Sequence, residues 1–335
     1  MAVNNSAIAA EEFSRTIEHH LHSSAIAVAV SGGVDSMALL LLLKEKKLPL
    51  HALTVDHGLR ADSANEATQV AAWCKALGIP HTTLHWQHEK IESGVPEKAR
   101  DARYELMFDW CRTHHIPHLF TAHHLDDQIE TVLFRLMRGS GLVGLSGIMP
   151  VTSRAGIFLH RPLLSFPKSR LIATLEKAKQ PWLEDPSNHN TAFTRNAMRT
   201  QLHTLSPEQK QRLHAVIESF ARFRSGLKKQ VERALSECFS GELLQHDAFI
   251  KQPEELKIRI LHHICNNVSG DGEPVRSEKI ARLLANIATG EGKYMLHGVL
   301  FDYHPKYDGW QVKLLAETHD LAQNKVLKQR KNNAQ

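Results

Sequence analysis

An apolar segment, a glycine-rich turn and a leucine-rich segment follow one another between Ala25 and Lys46. The residues just before Ser31 are apolar at both alternating sets of positions, which is typical of a central parallel strand covered by helices on both faces. The leucine run after Ser36 is apolar on every side, which predicts a buried helix. The stretch therefore predicts a strand, a tight turn and a helix, around which the rest of the chain is organised.

The turn between the predicted strand and helix has the composition of a phosphate-binding loop. Its glycines permit positive φ and let backbone N–H groups approach a ligand, and the following helix adds unpaired N–H groups and a partial positive charge. An ordinary strand-to-helix turn, with Asp35 or Ser36 as the N-cap, is the alternative. The predicted phosphate-binding residues are Ser31, Gly32, Gly33, Val34, Asp35 and Ser36.

Asp35 places an acid inside this turn, where its carboxylate would repel phosphate unless a cation lay between them. Mg²⁺ takes one or two carboxylates together with phosphate oxygens. We therefore expect Asp35 to be a magnesium ligand, with a helix cap as the alternative.

Length, charge and cysteine spacing narrow the class of protein. The 335 residues suit two or three domains, and the formal charge of +5 gives mild support for a polyanionic partner. No apolar run reaches the roughly 20 residues of a membrane helix, and no secretory signal is visible. The cysteines lack C-x-x-C spacing, which favours reduced core thiols in the cytoplasm over a zinc or iron–sulfur site. They are Cys74, Cys111, Cys238 and Cys265.

Strand and helix patterns alternate beyond the first helix, which predicts a doubly wound parallel sheet. Ligands of such sheets bind beyond the carboxyl ends of the strands. We therefore expect Ser31–Ser36, Asp56–Arg60 and Thr121–Asp127 to converge on one crevice, with Asp56 and His57 among its ligand-binding residues. The predicted strands are Leu50–Val55, Thr82–Trp86 and His118–Ala122, and the predicted helices between and after them include Pro96–His114 and Asp126–Arg138.

Charged side chains near the predicted crevice suggest acid and base chemistry. Asp127 and Glu130 are three residues apart and share a helix face, which would suit a substrate that carries ammonium groups. Arg100 and Arg103, three residues apart, could stabilise charge on an α-phosphate during transfer, and one of the two histidines His123 and His124 could contact phosphate or an adenylated intermediate. Helix capping, a solvated helix face and a zinc site at His123 and its neighbour are the alternatives.

A glycine-rich stretch at 139–150 matches G-x-G-x-x-G, but it follows a predicted helix instead of a strand. The dinucleotide-binding interpretation therefore fails its structural context. We expect a mobile loop over the active site instead.

The C-terminal half predicts a long helix over Pro207 to about Cys238, then a small α+β module that ends in a hairpin. Apolar residues including Val216 and Phe223 fall on one side of the long helix, and basic residues fall opposite, as either a solvated face or an RNA-facing stripe. The basic residues are Arg222, Lys229 and Arg233. The strands of the module are predicted at Tyr294–Tyr303 and Trp310–Leu315. The expected organisation is a catalytic domain at 1–204 with an extension at 151–204, a connecting helix at 205–240, an α+β domain at 241–320 and a frayed tail at 321–335.

The hexapeptide at Ser31–Ser36 is also the signature of the PP-loop ATP pyrophosphatase superfamily, whose Rossmann-like domains cleave ATP between the α and β phosphates. Further motifs, in order along the chain, resemble the tRNA(Ile)-lysidine synthetase family. They are Asp56-His-Gly-Leu-Arg60, the Ala-Arg-x-x-Ala-Arg-Tyr run ending at Tyr104, Thr121-Ala-His-His-x-Asp-Asp-Gln-x-Glu-Thr131, the loop at Arg138, Arg161-Pro-Leu-Leu, and Asp185-Pro-Ser-Asn with Arg195-Asn196.

The resemblance implies a two-step reaction on tRNA(Ile) with a CAU anticodon. ATP adenylates the C2 oxygen of the wobble cytidine at position 34, and the ε-amine of free L-lysine then displaces AMP, which changes decoding from AUG to AUA. By this resemblance Ser31–Ser36 would bind ATP, Asp35 would help to hold Mg²⁺, and Arg103 and His123 would serve the adenylation centre. Asp127 and Glu130 are candidates for the lysine ammonium groups on charge grounds. The candidate tRNA contacts are Arg138, Arg195, Arg199, Arg222, Lys229 and Arg233.

Longer members of this family carry an additional C-terminal domain, and we expect this chain to end before it. A homodimer or the 205–315 region would then have to distinguish tRNA(Ile) from tRNA(Met). The competing hypotheses are a PP-loop tRNA thiolase, a small-molecule amide ligase and a catalytically inactive RNA-binding protein.

Overall fold

The computed structural model describes residues 5–17, 25–59, 62–88, 94–184, 204–268 and 275–314. The chain divides into two units, Met1–Arg222 and Phe223–Gln335. The division falls inside the long helix that the sequence predicts as a connector, and the two units are described separately below.

Unit 1 contains a six-stranded sheet in the order β3-β2-β1-β4-β6-β5. All neighbouring strands are parallel except β5 and β6, which are antiparallel. This topology confirms the predicted α/β class with a parallel sheet. The strands are β1 (Ile26–Ala29), β2 (Leu50–Asp56), β3 (His81–His85), β4 (His118–Phe120), β5 (Val151–Arg154) and β6 (Ile157–His160).

The hairpin of β5 and β6 has no counterpart among the sequence predictions. Its two-residue turn, Ala155-Gly156, has positive φ at both positions (49° and 78°), which matches the right-handed twist of a hairpin. Because β6 also pairs with β4, the hairpin extends the parallel sheet on the side of β4.

The helices of unit 1 cover both faces of the sheet. Alternate residues of β1 lie in different cores: Ile26 and Val28 pack with α2, α3 and α6, whereas Ala27 packs with α4. Residues 37–40 of α2 are fully buried, which confirms the predicted buried helix. The helices are α1 (Ala10–Ser14), α2 (Val34–Lys44), α3 (Ser63–Ala76), α4 (Val95–Thr113), α5 (Leu125–Met137) and α6 (Lys168–Ala178), followed by the long helix α7 (Pro207–Cys238).

The long helix α7 has the predicted bounds, but its apolar side is not buried as a single stripe. Val216 and Phe223 are about half exposed, at 50% and 49%. In unit 1 the buried residue is instead Ile217, which packs against Leu125 and Ile129 of α5. Leu213 and Val231, which also belong to the predicted apolar side, do pack in hydrophobic cores. Burial along this side is uneven, because a helical periodicity does not say which part of an apolar arc meets the neighbouring element.

Unit 2 is an α+β module with a five-stranded antiparallel sheet in the order β7-β8-β11-β10-β9. Its core surrounds the fully buried Trp310, whose indole N–H donates to His246 Nδ1 at 3.2 Å. The predicted strand Tyr294–Tyr303 is two strands in the structure, because His297 and Gly298 form a turn with positive φ. The elements are β7 (Phe239–Ser240), β8 (Leu243–Gln245), α8 (His246–Ile250), α9 (Glu254–Val268), α10 (Ser277–Ile287), β9 (Lys293–Leu296), β10 (Val299–His304) and β11 (Gly309–Leu314).

Among the described residues, every helix is too short or too polar to span a lipid bilayer.

Candidate active site at the carboxyl end of the sheet

A cavity of about 800 Å³ opens in unit 1 where β1, β2 and β4 end. The three segments predicted to converge all contribute to its wall, because parallel strands end on the same edge of a sheet. The predicted site residues that line it are Ser31, Gly33, Val34, Asp35, Ser36, His57, Arg103, His123 and Asp127. Gly32, Asp56 and Glu130 lie outside this wall.

The loop between β1 and α2 is held in shape by its own hydroxyl groups. Ser36 Oγ accepts a hydrogen bond from the Ser31 backbone N–H at 3.1 Å and donates to the Gly33 carbonyl at 3.0 Å. Gly33 is the extended N-cap residue of α2 and has no side chain to occupy the helix N-terminus. The first amides of α2 therefore face the cavity as a site for an anion.

Gly32 is required by both its conformation and its surroundings. Its φ is +85°, and a Cβ there would lie 2.6 Å from Leu183 Cδ1 and 2.7 Å from Val70 Cγ2. The Leu183 N–H donates to the Gly32 carbonyl at 2.8 Å. The segment after α6 thus packs on the loop and lines the cavity at Trp182, Leu183 and Glu184, which sequence reasoning missed because no local pattern links it to the loop.

Asp35 presents one carboxylate oxygen for a cation. Its Oδ2 lies 3.5 Å from His124 Nε2, while Oδ1 is buried and has no hydrogen-bond partner among the described residues. Burial would raise the pKa of Asp35, but the hydrogen bond and charge of His124, with the charge of Lys168, lower it below the usual value.

The ionised Asp35 fits the donor set of Mg²⁺, which needs only one or two carboxylates when phosphate supplies further oxygens. Within the described ranges no three metal-ligating side chains of His, Cys, Asp or Glu form a cluster. A cation held by Asp35 would therefore depend on the nucleotide for its other ligands.

His124 is a buried cation among three carboxylates. Its Nε2 is 3.5 Å from Asp35 Oδ2 and 3.7 Å from Asp127 Oδ2, and its Nδ1 is 3.5 Å from Asp126 Oδ2. Burial would lower the pKa of His124, but hydrogen bonds to Asp126 and Asp35 and the charge of Asp127 raise it to about 10. The sequence analysis treated His123 and His124 as one pair and did not distinguish them. Asp126 and Asp127 are close to His124 in the sequence, but the contact with Asp35 arises only in the folded chain.

The amide of Asp126 also approaches His124 Nδ1, at 3.2 Å, in the position of a helix cap. Nδ1 cannot accept that N–H and donate to the Asp126 carboxylate at once. The three carboxylates around the ring favour the protonated imidazole. Nδ1–H therefore donates to the Asp126 carboxylate, and the Asp126 amide contacts Nδ1 without a hydrogen bond.

His123 differs from its neighbour and is neutral. Burial, with the charges of Arg161 and Arg100 acting against Asp127, lowers the pKa of His123 to about 4. Its Nδ1 lies 3.1 Å from Thr121 Oγ1, and its ring lines the cavity. His123 can therefore hydrogen-bond a substrate without adding charge.

Arg103 is oriented by His57. Its Nε and Nη2 lie 3.2 Å and 3.1 Å from His57 Nε2, which must accept and so leaves the imidazole proton on Nδ1. Arg103 lines the same cavity as the phosphate loop, where its guanidinium can meet an anionic group.

Asp127 lines the cavity, but one of its oxygens is already used. Its Oδ2 accepts the His124 backbone N–H at 2.9 Å, which caps α5. Glu130, one turn further along α5, is not part of the cavity wall.

The glycine-rich stretch at 139–150 is tied to α5. Gln128 bonds both backbone groups of Ile148, with distances of 3.0 Å and 2.6 Å, and Arg135 donates to the carbonyls of Gly144 and Gly147. None of its residues belongs to the cavity wall. These side-chain contacts were not visible in the sequence, and a mobile loop over the active site stays a prediction.

Of the predicted RNA-binding residues, the four that the structure describes do not line this cavity. Arg138 stacks over the Phe134 ring at 4.1 Å. Arg222 and Arg233 lie 3.7 Å and 3.0 Å from Glu218 and Glu237, four residues away on the same helix. Lys229 is exposed, and Arg195 and Arg199 lie outside the described residues.

All four cysteines are buried, and burial raises the thiol pKa of each, to about 11 for Cys74 and about 12 for Cys111. Thiols with such a pKa are not thiolates at neutral pH. None of the four lines the cavity, so they offer it neither a sulfur nucleophile nor cluster ligands.

Comparison with known proteins agrees with this fold. The family pattern described as a PP-loop domain matches residues 5–234. A tRNA(Ile)-lysidine synthase of Bradyrhizobium diazoefficiens is 40% identical over 301 residues, covering 84% of this chain and 83% of that protein. Another from Bradyrhizobium sp. (strain BTAi1) is 38% identical over 314 residues, covering 84% and 87%.

Among solved structures, the U34-tRNA thiolase NcsA from Methanococcus maripaludis, with its [4Fe-4S] cluster, is similar with a TM-score of 0.54 at 17% identity, over 64% of this chain and 79% of that one. At this identity the likeness concerns the fold alone. The extent and identity of the sequence matches are decisive instead: the chain belongs to the tRNA(Ile)-lysidine synthase family, whose members are ligase-type enzymes built on a PP-loop domain.

Proposed function

We propose that this protein uses ATP to adenylate the C2 oxygen of the wobble cytidine in the CAU anticodon of tRNA(Ile), and then joins the ε-amine of L-lysine to that carbon. The products are lysidine, AMP and pyrophosphate, and decoding changes from AUG to AUA. The observation that carries the proposal is the shared cavity, in which the amides of the phosphate loop and the carboxylate of Asp35 face Arg103, His123 and Asp127. The choice of tRNA(Ile) as the substrate is taken from the names of the relatives.

In this proposal the loop from Ser31 to Ser36 binds the phosphates of ATP through its backbone amides. Asp35 holds Mg²⁺, which would neutralise phosphate charge. Arg103 stabilises the charge that develops on the α-phosphate, since a guanidinium aimed at that charge acts most strongly in a site sheltered from water.

Lysine would enter with its ε-ammonium beside Asp127, supported by Glu130 at the next turn of α5. His123 is neutral and therefore does not repel an ammonium group. The ammonium must lose a proton before it attacks, and the carboxylate of Asp127 or the neutral imidazole of His123 would accept that proton and orient the lone pair of the amine. The nitrogen then forms a bond to C2 while the bond from C2 to the adenylated oxygen breaks, and AMP leaves with that oxygen.

The tRNA contacts are proposed for Arg138 at the end of α5, for Arg222, Lys229 and Arg233 of α7, and for the two arginines outside the described residues. The formal charge of +5 supports a polyanionic partner. Arg222 and Arg233 contribute only if RNA phosphates displace their glutamate partners. Substrates of this kind, together with reduced buried thiols, favour the cytoplasm as the place of the reaction.

The test supplies the protein with ATP, Mg²⁺, radiolabelled lysine and tRNA(Ile) transcripts. We expect label in the RNA, lost when the wobble cytidine is changed to uridine. Asp35→Asn should abolish the product because it removes the proposed metal ligand, and a tRNA with another anticodon serves as the RNA control. Label that never enters RNA, with amide formation on a free acid instead, would overturn the proposal in favour of a small-molecule ligase.

A further inference from the structure

One side of α5 leads away from the cavity along the length of the helix. Asp127 lines the cavity, Phe134 follows it seven residues later, and Arg138 is the residue just after the helix. Because an α-helix has 3.6 residues per turn, positions seven and eleven apart lie on the same side of it. The three side chains therefore form a row that begins at the cavity and ends at the C-terminus of α5.

The opposite side of α5 is the one that packs into unit 1. Leu125 and Ile129 are buried there against Ile217 of α7. Asp127 and Phe134 lie about 200° and 180° around the helix from Leu125, at 100° per residue. The row that ends at Arg138 thus points away from the contact with α7.

The two arginines at the end of α5 have different surroundings. Arg135 Nη1 donates to the carbonyls of Gly144 and Gly147 at 2.8 Å and 3.0 Å, so its guanidinium is already used. The guanidinium of Arg138 instead lies over the Phe134 ring, with its carbon 4.1 Å from the ring centroid. Within the described ranges, no hydrogen bond or ion pair involves the side chain of Arg138, which is exposed. One flat face of this guanidinium covers the ring, and the other is open to a ligand.

We propose that the Arg138 guanidinium, held on the Phe134 ring, stacks on the adenine base that follows the wobble cytidine in the CAU anticodon. The inference rests on the proposed function and assigns it a second binding position for the RNA, outside the cavity. Proteins that read RNA sequence bind unpaired loop bases, which stack on aromatic rings or on the planes of arginine side chains. The positive charge of Arg138 also suits the phosphates on either side of that base.

The distance of the Arg138–Phe134 platform from the cavity fits a neighbouring nucleotide. A long side chain of a helix points back towards the N-terminus, which is why Arg138 covers the turn that contains Phe134. That turn is about 10 Å from Asp127 along the helix axis, at 1.5 Å per residue. Because loop bases can be splayed apart, the cytidine can enter the cavity while the next base stays on the platform. The next base is an adenine, whose two fused rings give a larger stacking surface than a pyrimidine.

A change from arginine to lysine separates stacking from charge, because lysine keeps the charge but lacks the flat guanidinium. We would measure binding of tRNA(Ile), assembled from synthetic halves with adenine or an abasic site at position 35, to the wild type and Arg138→Lys. We expect Arg138→Lys to bind the intact RNA about 5- to 100-fold more weakly, the range for losing one stacked base. The dependence of its dissociation constant on salt should stay that of the wild type, since the number of cations is the same.

The abasic RNA completes a double-mutant cycle with Arg138→Lys. It should bind the wild type as weakly as the intact RNA binds the variant, and the variant should bind both RNAs alike. Arg154→Lys is the matched control, because Arg154 is also exposed and lies over a phenylalanine ring, that of Phe108, at 5.9 Å. This control should bind both RNAs as the wild type does, and thermal unfolding of each variant reports on the fold.

Unchanged affinity of Arg138→Lys for the intact RNA would overturn the assignment of Arg138 while leaving the proposed reaction in place. The same conclusion follows if the abasic site weakens binding to the wild type and to Arg138→Lys equally, or weakens neither. A wild type that does not bind tRNA(Ile) with a CAU anticodon would instead overturn the proposed function and this inference with it.

Discussion

His124 Nε2 lies 3.5 Å from Asp35 Oδ2 and so joins the phosphate loop to the start of α5. The same nitrogen faces Asp127 at 3.7 Å. The two carboxylates proposed for metal and amine binding thus share one buried cation, which keeps them close without mutual repulsion. His124 is therefore a positioning residue between the two halves of the site.

Removing His124 should destabilise the protein strongly. His124→Ala would leave Asp35, Asp126 and Asp127 facing one another around a buried gap, and breaking a buried ion pair in this way costs about 3–5 kcal/mol. Urea unfolding at neutral pH measures the loss. His115→Asn is the control, because His115 is exposed and asparagine tolerates its positive φ of 55°. Equal unfolding midpoints for His124→Ala and the wild type would contradict the proposed cation.

The two adjacent glycines of the phosphate loop should differ sharply when changed to alanine. Gly32→Ala forces a left-handed φ on alanine and drives its Cβ into Leu183 and Val70, which we expect to cost about 1–3 kcal/mol and to weaken ATP binding. A Cβ on Gly33, where φ is −73°, would lie 3.8 Å from Ser31 Oγ, its nearest neighbour. Gly33→Ala should therefore have a free energy of unfolding close to that of the wild type. An equal loss of stability in the two variants would show that the space around Gly32 does not explain the effect of Gly32→Ala.

An ion pair distant from the cavity should make stability depend on pH. Arg170 donates two hydrogen bonds of 2.6 Å to Glu12, one to each carboxylate oxygen, and these lower the pKa of Glu12 against the opposing effect of burial. A carboxyl pKa that is lower in the folded state than in the unfolded state stabilises the folded protein at pH values above the unfolded-state pKa. This stabilisation is lost as the pH falls through the folded-state pKa.

Glu12→Gln should thus be less stable than the wild type at pH 7, and the difference should shrink as the pH falls below the ordinary value of 4.5. Urea midpoints measured from pH 7 downwards test this. Its neighbour Glu11 is exposed and provides the control, Glu11→Gln, which should show no such trend. If the difference in stability between Glu12→Gln and the wild type stays the same in acid, packing and not charge is responsible for it.

Local patterns were enough to predict the central part of the site. The glycines at positions 32 and 33 and the apolar runs on either side identify a strand, a loop and a helix, because backbone freedom and burial preference are properties of short segments. The alternation of strands and helices then placed the ends of β1, β2 and β4 at one edge. Asp35, His57, His123 and Asp127 follow these strands in the sequence, and they line one cavity as the strand order predicts.

The partners of those residues came only from the tertiary structure. Leu183 on Gly32 and His124 on Asp35 are contacts between segments far apart in the chain. They depend on strand order and on the rotation of each helix about its axis. The sequence by itself determined which groups can bind a phosphate, because that ability resides in one turn and the helix after it. The tertiary structure decided which charges meet inside the cavity, because folding brings residues that are distant in the sequence next to one another. Burial then removes the water that would screen their charges.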